Sequence, residues 1–332
     1  MDERTTGFRA AGLRLSERVI PIPVGVSPEA RAALALERPA VGPLPRLDDK
    51  AAWNAHILQI NAARAAAMRD PVMALPVRGT LNTVGGVPVY IAEPEMIPAE
   101  NRDKALLYFH AGGLVLLGGE CVGLFARLEA ASTRCKVYAV DFRNPPDHPY
   151  PAALEDCLAV YRTLLEIYDP EQIVVSGASG GGNLAAAVPL NARDLGLPLP
   201  AAIGLFTPEI DLTESGDTFQ TNRDIDVVLT RGLPELNALY ADGHDLAHPY
   251  LSPLFGDFTK GFPPTFIQSG TRDIFLSNSV RMHRVLRRAG VEAELHVGEA
   301  MPHGGFGNAP EDRELRISFL HFLAKFAGWA KP

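Results

Sequence analysis

The sequence predicts an α/β fold built on a mainly parallel sheet. Short apolar runs that suit strands alternate with longer segments of helical periodicity over residues 88–326. Strands that alternate with helices are typical of a doubly wound sheet with helices on both faces. The 332 residues suffice for one large α/β domain that carries a smaller cap.

Seven segments have the pattern of strands, at residues 88–93, 104–110, 136–141, 172–176, 202–206, 265–268 and 293–297. Core helices are predicted at residues 119–134, 151–168, 182–194, 277–290 and 311–326. Gly290 has the position of a C-terminal stop, because it follows two arginines at the end of a helical segment. Pro189 predicts a kink within residues 182–194, since an interior proline costs a helix about 3 kcal/mol.

Two segments interrupt the alternation. Residues 1–80 show no strong strand but contain an alanine-rich helical stretch, and residues 214–250 lie between two predicted strands and contain a second helix. Insertions beside the carboxyl edge of a sheet often shape substrate pockets. We therefore expect residues 1–80 and 214–250 to form a mobile cap over a catalytic part made of residues 81–213 and 251–332. Solvent-facing packing helices are the alternative interpretation of both segments.

Composition and charge exclude several classes of function. The net charge is −8 without any run of Lys or Arg, so nucleic acid is not an expected partner. No apolar stretch is long enough to span a bilayer and residues 1–6 lack the features of a secretory leader, which predicts a cytoplasmic protein that does not insert into membranes. Three cysteines without a C-x-x-C pair fit a reducing compartment.

A Gly-Ala-Ser-Gly-Gly sequence at residues 177–181 lies between a predicted strand and a predicted helix. Small residues around the serine allow the chain to turn sharply and expose the hydroxyl at the edge of the sheet. This context is typical of a serine hydrolase. Ser179 is therefore the candidate nucleophile.

A second cluster of small residues follows the strand at residues 104–110, in the sequence His110-Ala111-Gly112-Gly113. Without bulky side chains, backbone amides can point to one spot, as an oxyanion hole requires. We expect the N–H groups of Gly112, Gly113 and Gly180 to be the donors. A simple glycine turn is the alternative, whereas neither cluster has the G-K-[ST] or G-x-G-x-x-G spacing of a nucleotide site.

A serine hydroxyl needs a base, and that base needs a carboxylate to hold its tautomer. His303 is the candidate base, because it lies in a loop between the last predicted strand and the last helix. Asp273 is the candidate acid, directly after the strand at residues 265–268, with a helix N-cap as the alternative role. His244 and His248 have a helical spacing, but no further ligand type supports a metal site there.

With these motifs the chain resembles the hormone-sensitive-lipase family of α/β-hydrolases over about residues 80–328. Two further blocks carry the resemblance: residues 140–153 are similar to the family's D-Y-R-L-A-P-E-H-P-F-P-A-A stretch, and residues 208–213 are similar to S-P-x-x-D-L-T. The order Ser, Asp, His along the chain is also that of α/β-hydrolases. The chain departs from the family at Ala111, where the family has Gly, and at Ala178, where it has Asp.

The resemblance implies an α/β-hydrolase fold with an eight-stranded, mainly parallel sheet flanked by helices, under a helical cap. It implies that Ser179, His303 and Asp273 form a catalytic triad, with Gly112, Gly113 and Gly180 as oxyanion donors. The implied reaction is the hydrolysis of short- to medium-chain carboxylic esters without a cofactor or a metal, by a protein that forms a homodimer. A lactonase or deacetylase for one natural product, and a non-catalytic small-molecule receptor, are the rival functions.

Overall fold

The computed structural model describes residues 19–36 and 42–332. Residues 1–18, which include the stretch predicted to lack a leader and the start of the predicted cap, lie outside the described residues, as do residues 37–41.

Eight strands of the described chain form one sheet. In chain order they are β1 (Val77–Val84), β2 (Val87–Pro94), β3 (Ala105–Phe109), β4 (Lys136–Val140), β5 (Ile173–Ala178), β6 (Ala202–Phe206), β7 (Thr265–Gly270) and β8 (Ala293–Gly298). Their order across the sheet is β1-β2-β4-β3-β5-β6-β7-β8. The β1–β2 and β2–β4 pairs are antiparallel and all other pairs are parallel. The predicted mainly parallel, eight-stranded α/β fold is confirmed.

The helices of the described residues surround this sheet. They are α1 (Pro28–Leu34), α2 (Lys50–Met73), α3 (Glu120–Thr133), α4 (Ala152–Leu164), α5 (Gly180–Asp194), α6 (Thr218–Thr221), α7 (Pro234–Ala241), α8 (Leu276–Arg288) and α9 (Pro310–Phe326). Short 3₁₀ turns occur at Ala99–Asn101, Pro170–Gln172 and Pro253–Phe255. Helix α5 continues through Pro189, so the proline does not end it.

Side chains of each central strand alternate between two apolar layers. On β3, Leu107 and Phe109 pack into the layer formed with α4, α5 and α8, whereas Leu106 and Tyr108 pack into the layer formed with α3 and α9. All five residues of β3 are buried, which explains why its sequence is apolar on both faces. Because β5, β6, β7 and β8 are paired in parallel, the carboxyl ends of β5, β7 and β8 lie at the same edge of the sheet.

Of the eight strands, β1 is the one that the sequence pattern does not show. It pairs with β2 across the two-residue turn Gly85-Gly86, in which both glycines have positive φ. Its residues between Val77 and Val84 are exposed, so no alternation of apolar and polar residues marks the strand. It also crosses residue 80, the predicted end of the first cap segment. The division into a cap and a catalytic part stays a prediction.

Parts of both predicted cap segments pack against loops at the carboxyl edge of the sheet. Trp53 of α2 is fully buried with Val115, Leu236 and Leu239, which joins α2, the loop after β3 and α7. Helix α1 packs against residues 300–309, and the backbone N–H and the hydroxyl of Ser27 donate hydrogen bonds to the Glu311 carboxylate. Within the part of the chain that the structure describes, none of the helices has both the length and the apolarity to cross a bilayer.

Gly204 on β6 provides a test of the packing between the sheet and α9. A Cβ on this residue would lie 2.8 Å from the ring of Phe319 and 3.2 Å from that of Phe206. The Phe319 ring has no free space to move into, because it is fully buried and contacts both Phe206 and Phe266. We predict that Gly204→Ala lowers the free energy of unfolding by about 1–3 kcal/mol in urea denaturation.

Gly25→Ala is the matched control, since a Cβ there would meet no atom within 4 Å. Both substitutions lower the entropy of the unfolded chain, which raises the free energy of unfolding by about 0.4–1 kcal/mol. Only the steric clash at residue 204 therefore distinguishes the two variants. Equal stability of the two variants would contradict tight packing of Phe319 on β6.

Candidate active site

The chain turns from β5 into α5 at Ser179, which has a φ of 54° and a ψ of −121°. A non-glycine residue rarely has this backbone conformation, so the surrounding structure must enforce it. Two glycines allow the turn: a Cβ on Gly177 would lie 2.1 Å from the Gly181 carbonyl oxygen, and one on Gly181 would lie 2.1 Å from that of Phe109. The serine side chain is thereby held at the carboxyl edge of the sheet.

The structure brings the three predicted side chains together. Nε2 of His303 lies 2.9 Å from Oγ of Ser179, and Nδ1 of His303 lies 3.0 Å from Oδ1 of Asp273. Asp273 follows β7 and is fully buried, and its carboxylate also accepts hydrogen bonds from Oγ of Ser269 and the N–H of Phe275. His303 follows β8, so loops after three parallel strands converge on one point.

The charge state of His303 depends on the carboxylates near it. Burial lowers its pKa, but the charge and the hydrogen bond of Asp273, together with the charge of Asp226, outweigh this effect, and the pKa is raised above the usual value of 6.5. The ring of Phe275 packs edge-on against the imidazole at 4.9 Å. The imidazole is therefore oriented on both nitrogens and surrounded by groups that favour its protonated form.

The glycines predicted as oxyanion donors lie beside the serine turn. Gly112 has a φ of 132° and Gly113 a φ of 57°, and the Gly112 carbonyl accepts hydrogen bonds from the N–H groups of Val115 and Leu116. A Cβ placed on Gly180 would lie 3.0 Å from the Gly113 nitrogen, which shows how closely the two backbones approach. No described residue accepts a hydrogen bond from the N–H of Gly112 or Gly113. That these amides stabilise an oxyanion stays a prediction.

His110 fixes the start of this loop. Its ring is buried, stacks on Phe142 at 4.2 Å, and has Nδ1 2.8 Å from the carbonyl oxygen of Ala111. Burial lowers its pKa, so the ring is neutral at pH 7 and suits an apolar contact. These contacts hold the first residues of the loop in place.

Two buried acids near the site were not found by sequence reasoning. Glu209 lies in the loop after β6, and its backbone N–H donates to the Ser179 carbonyl oxygen at 3.0 Å. Asp226 lies in the segment between α6 and α7, and its carboxylate accepts a hydrogen bond from the N–H of His303 at 3.1 Å. Glu209 belongs to the block at residues 208–213 that carried the family resemblance, which was a usable signal. No motif marks Asp226.

The described residues contain no cluster of three or more His, Cys, Asp or Glu side chains that could hold a metal ion. Nδ1 of His244 lies 2.8 Å from the Ala241 carbonyl oxygen, and Nδ1 of His248 accepts a hydrogen bond from the N–H of Tyr250 at 3.2 Å. The cofactor-free and metal-free reaction stays a prediction.

The fold and the geometry of these residues define an α/β-hydrolase. Comparison with protein families agrees, because a family model described as the alpha/beta hydrolase fold matches residues 106–307. The chain is 32% identical to the carboxylesterase NlhH of Mycobacterium tuberculosis over 269 residues, which is 74% of this chain and 82% of that protein. It is 29% identical to the esterase LipI of the same organism, over 72% of this chain and 76% of the other.

Solved structures agree with these relatives. The protein in the crystal structure of an esterase E25 shares 34% sequence identity with this chain. The two structures have a TM-score of 0.88, and the match covers 95% of this chain and 99% of the other. An esterase from the bacterial hormone-sensitive lipase family is 30% identical, with a TM-score of 0.77 over 91% of this chain and 99% of the other. The chain belongs to the hormone-sensitive-lipase family of α/β-hydrolases, which confirms both the predicted family and the predicted enzyme class.

Glu209 generates a prediction about stability. It is 1% exposed, neither carboxyl oxygen has a hydrogen-bond partner among the described residues, and burial together with the charge of Glu214 raises its pKa from 4.5 to about 8. The folded protein keeps this proton between pH 4.5 and 8 whereas the unfolded chain loses it, so the contribution of Glu209 to stability declines as the pH rises through that range.

We predict that Glu209→Gln, which cannot ionise, gains stability relative to the unsubstituted protein between pH 5 and pH 8, by about 3 kcal/mol. The measurement is the free energy of unfolding in urea at several pH values. Glu314→Gln is the control, because Glu314 is exposed on α9. Parallel curves for Glu209→Gln and the unsubstituted protein would contradict a neutral buried acid at this position.

Proposed function

We propose that the protein is a serine carboxylesterase that hydrolyses short- to medium-chain carboxylic esters through Ser179, His303 and Asp273. The observation that carries the proposal is the continuous chain of hydrogen bonds from the Asp273 carboxylate through the His303 imidazole to the Ser179 hydroxyl. This is the arrangement that nucleophilic catalysis by serine requires: a nucleophile in contact with a base, and the base oriented by an acid.

In the first half-reaction Ser179 attacks the ester carbonyl. With Nδ1–H of His303 donating to Asp273, Nε2 is free to accept the hydroxyl proton as the bond from Oγ to the carbonyl carbon forms. Collapse of the tetrahedral intermediate breaks the bond to the alcohol, which leaves with the proton from Nε2. The products of this step are an alcohol and an acyl-enzyme.

In the second half-reaction water attacks the acyl-enzyme. His303 takes a proton from the water and returns one to Oγ of Ser179, which releases the carboxylic acid. Both tetrahedral intermediates carry a negative charge on the former carbonyl oxygen, and the N–H groups of Gly112, Gly113 and Gly180 are the proposed donors to it. Removal of one such donor typically raises the barrier by about 2.7–4 kcal/mol.

A preference for small acyl groups is supported by the packing above the oxyanion loop. The face of Gly113 that would bear a side chain is directed at Leu233 and Leu236, near α7. Val115 is fully buried against Trp53 of α2. Apolar side chains this close to Gly113 favour an apolar acyl group beside the proposed oxyanion donors.

The rival functions are separable from this proposal by assay. A non-catalytic receptor does not need the hydrogen bond between His303 and Ser179, so the geometry opposes that function. Lactones and acetylated natural products would use the same chemistry, and only a comparison of substrates distinguishes them from acyclic esters. The homodimer and the cytoplasmic location stay predictions.

We predict that Ser179→Ala lowers kcat/KM for p-nitrophenyl butyrate by at least about 10⁴-fold, because no nucleophile remains. Initial rates are measured with acyclic esters of increasing acyl length and with lactones of matched size. They give the loss of activity in Ser179→Ala and the substrate preference of the unsubstituted protein. Ser318→Ala, on the surface of α9, is the control and should keep full activity. An organophosphate should label the unsubstituted protein at Ser179. Full turnover by Ser179→Ala would refute the proposed nucleophile.

We predict that Gly112→Ala lowers kcat by about 10²–10³-fold. A Cβ on this residue would lie 2.1 Å from the Leu116 carbonyl oxygen, so the loop must move and its amides leave the reacting oxygen. The rate is measured per active site after titration with an organophosphate, which corrects for any unfolded fraction. Gly261→Ala has comparable backbone strain at an exposed position without neighbouring atoms and should retain its rate. Equal rates for both variants would exclude a role for this loop.

A further inference from the structure

The inserted segment between β6 and β7 holds the two loops that carry the proposed acid and base. Asp226 of this segment is fully buried. Its Oδ2 accepts hydrogen bonds from the N–H groups of Ile274, at 3.0 Å, and His303, at 3.1 Å. One carboxylate oxygen therefore bridges the residue after the proposed acid and the proposed base itself.

The second oxygen of the same carboxylate keeps the side chain in place. Oδ1 of Asp226 accepts hydrogen bonds from the N–H groups of Val228, at 2.8 Å, and Leu229, at 3.1 Å. Both oxygens thus have two amide donors, which is the arrangement that favours a buried carboxylate over a neutral acid. A rotation of this side chain would break all four hydrogen bonds, including the two that join it to the loops of Asp273 and His303.

Asn222, four residues earlier, also contacts the loop after β7, but it donates hydrogen bonds to this loop whereas Asp226 accepts one from it. Its side-chain amide donates to the carbonyl oxygens of Asp273, at 2.8 Å, and Thr271, at 3.2 Å. The backbone N–H of Asp226 donates to the Asn222 carbonyl oxygen at 3.1 Å, which links the two residues directly. The loop after β7 is held on its carbonyl groups by Asn222 and on an amide by Asp226.

The charge of Asp226 also acts on the imidazole. The titratable groups that face His303 are Asp273, from the loop after β7, and Asp226, from the inserted segment. Both carboxylates favour the imidazolium ion that forms when His303 accepts a proton. The pKa of Asp226 is raised above its usual value, mainly by burial and also by the charge of Asp273, although the positive charge of His303 and the surrounding amides oppose this shift.

We propose that Asp226 is a positioning residue for the reaction, which fixes the backbone of the two loops that carry Asp273 and His303 and stabilises the imidazolium ion. This inference rests on the proposed function. It gives the inserted segment a second role besides covering the substrate, because the segment completes the arrangement of acid and base.

The test is Asp226→Asn, with p-nitrophenyl butyrate as substrate from pH 5 to pH 9. We expect kcat to fall by about 10–100-fold with little change in KM, since an amide cannot accept from all four N–H groups and the loops shift. We also expect the acidic limb of kcat/KM to move to lower pH by roughly half a unit, because the loss of a negative charge lowers the pKa of His303.

Two further variants separate charge from position. Asp226→Glu keeps the negative charge, but its longer side chain cannot place the carboxylate at the same position. We therefore expect a lower kcat, with the acidic limb of the kcat/KM profile unchanged. Asp224→Asn removes the same charge from an exposed residue of the same segment and should change neither quantity. All rates are expressed per active site by organophosphate titration, so that a partly unfolded variant does not imitate the effect.

An unchanged kcat per active site with an unshifted limb in Asp226→Asn would overturn the proposal, as would a loss confined to the number of active sites. If Asp226→Asn does not fold, an unchanged kcat in Asp226→Glu overturns it. Failure of the proposed function gives a different result, because Ser179→Ala would then keep the full turnover of the unsubstituted protein. The effect on His303 is then read from the NMR titration of its imidazole, which needs no turnover and should show a lower pKa in Asp226→Asn.

Discussion

The close approach of the first turn of α5 to the end of β3 is the constraint on which the site depends. Gly181 lies so near the Phe109 carbonyl oxygen, and Gly180 so near the amide of Leu114, that neither position has room for a side chain. This contact fixes the strained backbone of Ser179 and places the loop of Gly112 and Gly113 beside it. The distance between the proposed nucleophile and the proposed oxyanion donors is therefore set by backbone packing.

Three buried carboxyl groups near Ser179 differ in their hydrogen-bond partners. Asp273 accepts hydrogen bonds from His303, Ser269 and Phe275, and Asp226 accepts four amide hydrogen bonds. Glu209 has no partner among the described residues, and its raised pKa keeps it neutral at pH 7. Two hydrogen-bonded carboxyl groups thus contact His303, while the proton on Glu209 avoids a negative charge beside Gly113, where the proposed oxyanion forms.

The sequence predicted most of the fold and the members of the candidate site, because the relevant signals are local. Buried strands such as β3 are apolar on both faces, and Ser179, Asp273 and His303 each follow a recognisable strand. Strand β1 lacked such a signal because almost all of its side chains are exposed. Asp226 could not be found because its role depends on backbone amides that are distant along the chain and close only after folding.

The contacts of the inserted segment argue against a cap that acts independently of the catalytic part. Thr218 donates its hydroxyl to the Ile274 carbonyl oxygen and accepts from the N–H of Ser277, and Asn222 and Asp226 continue this attachment to the loop of Asp273. Movement of this part of the segment would break hydrogen bonds to the proposed acid and base.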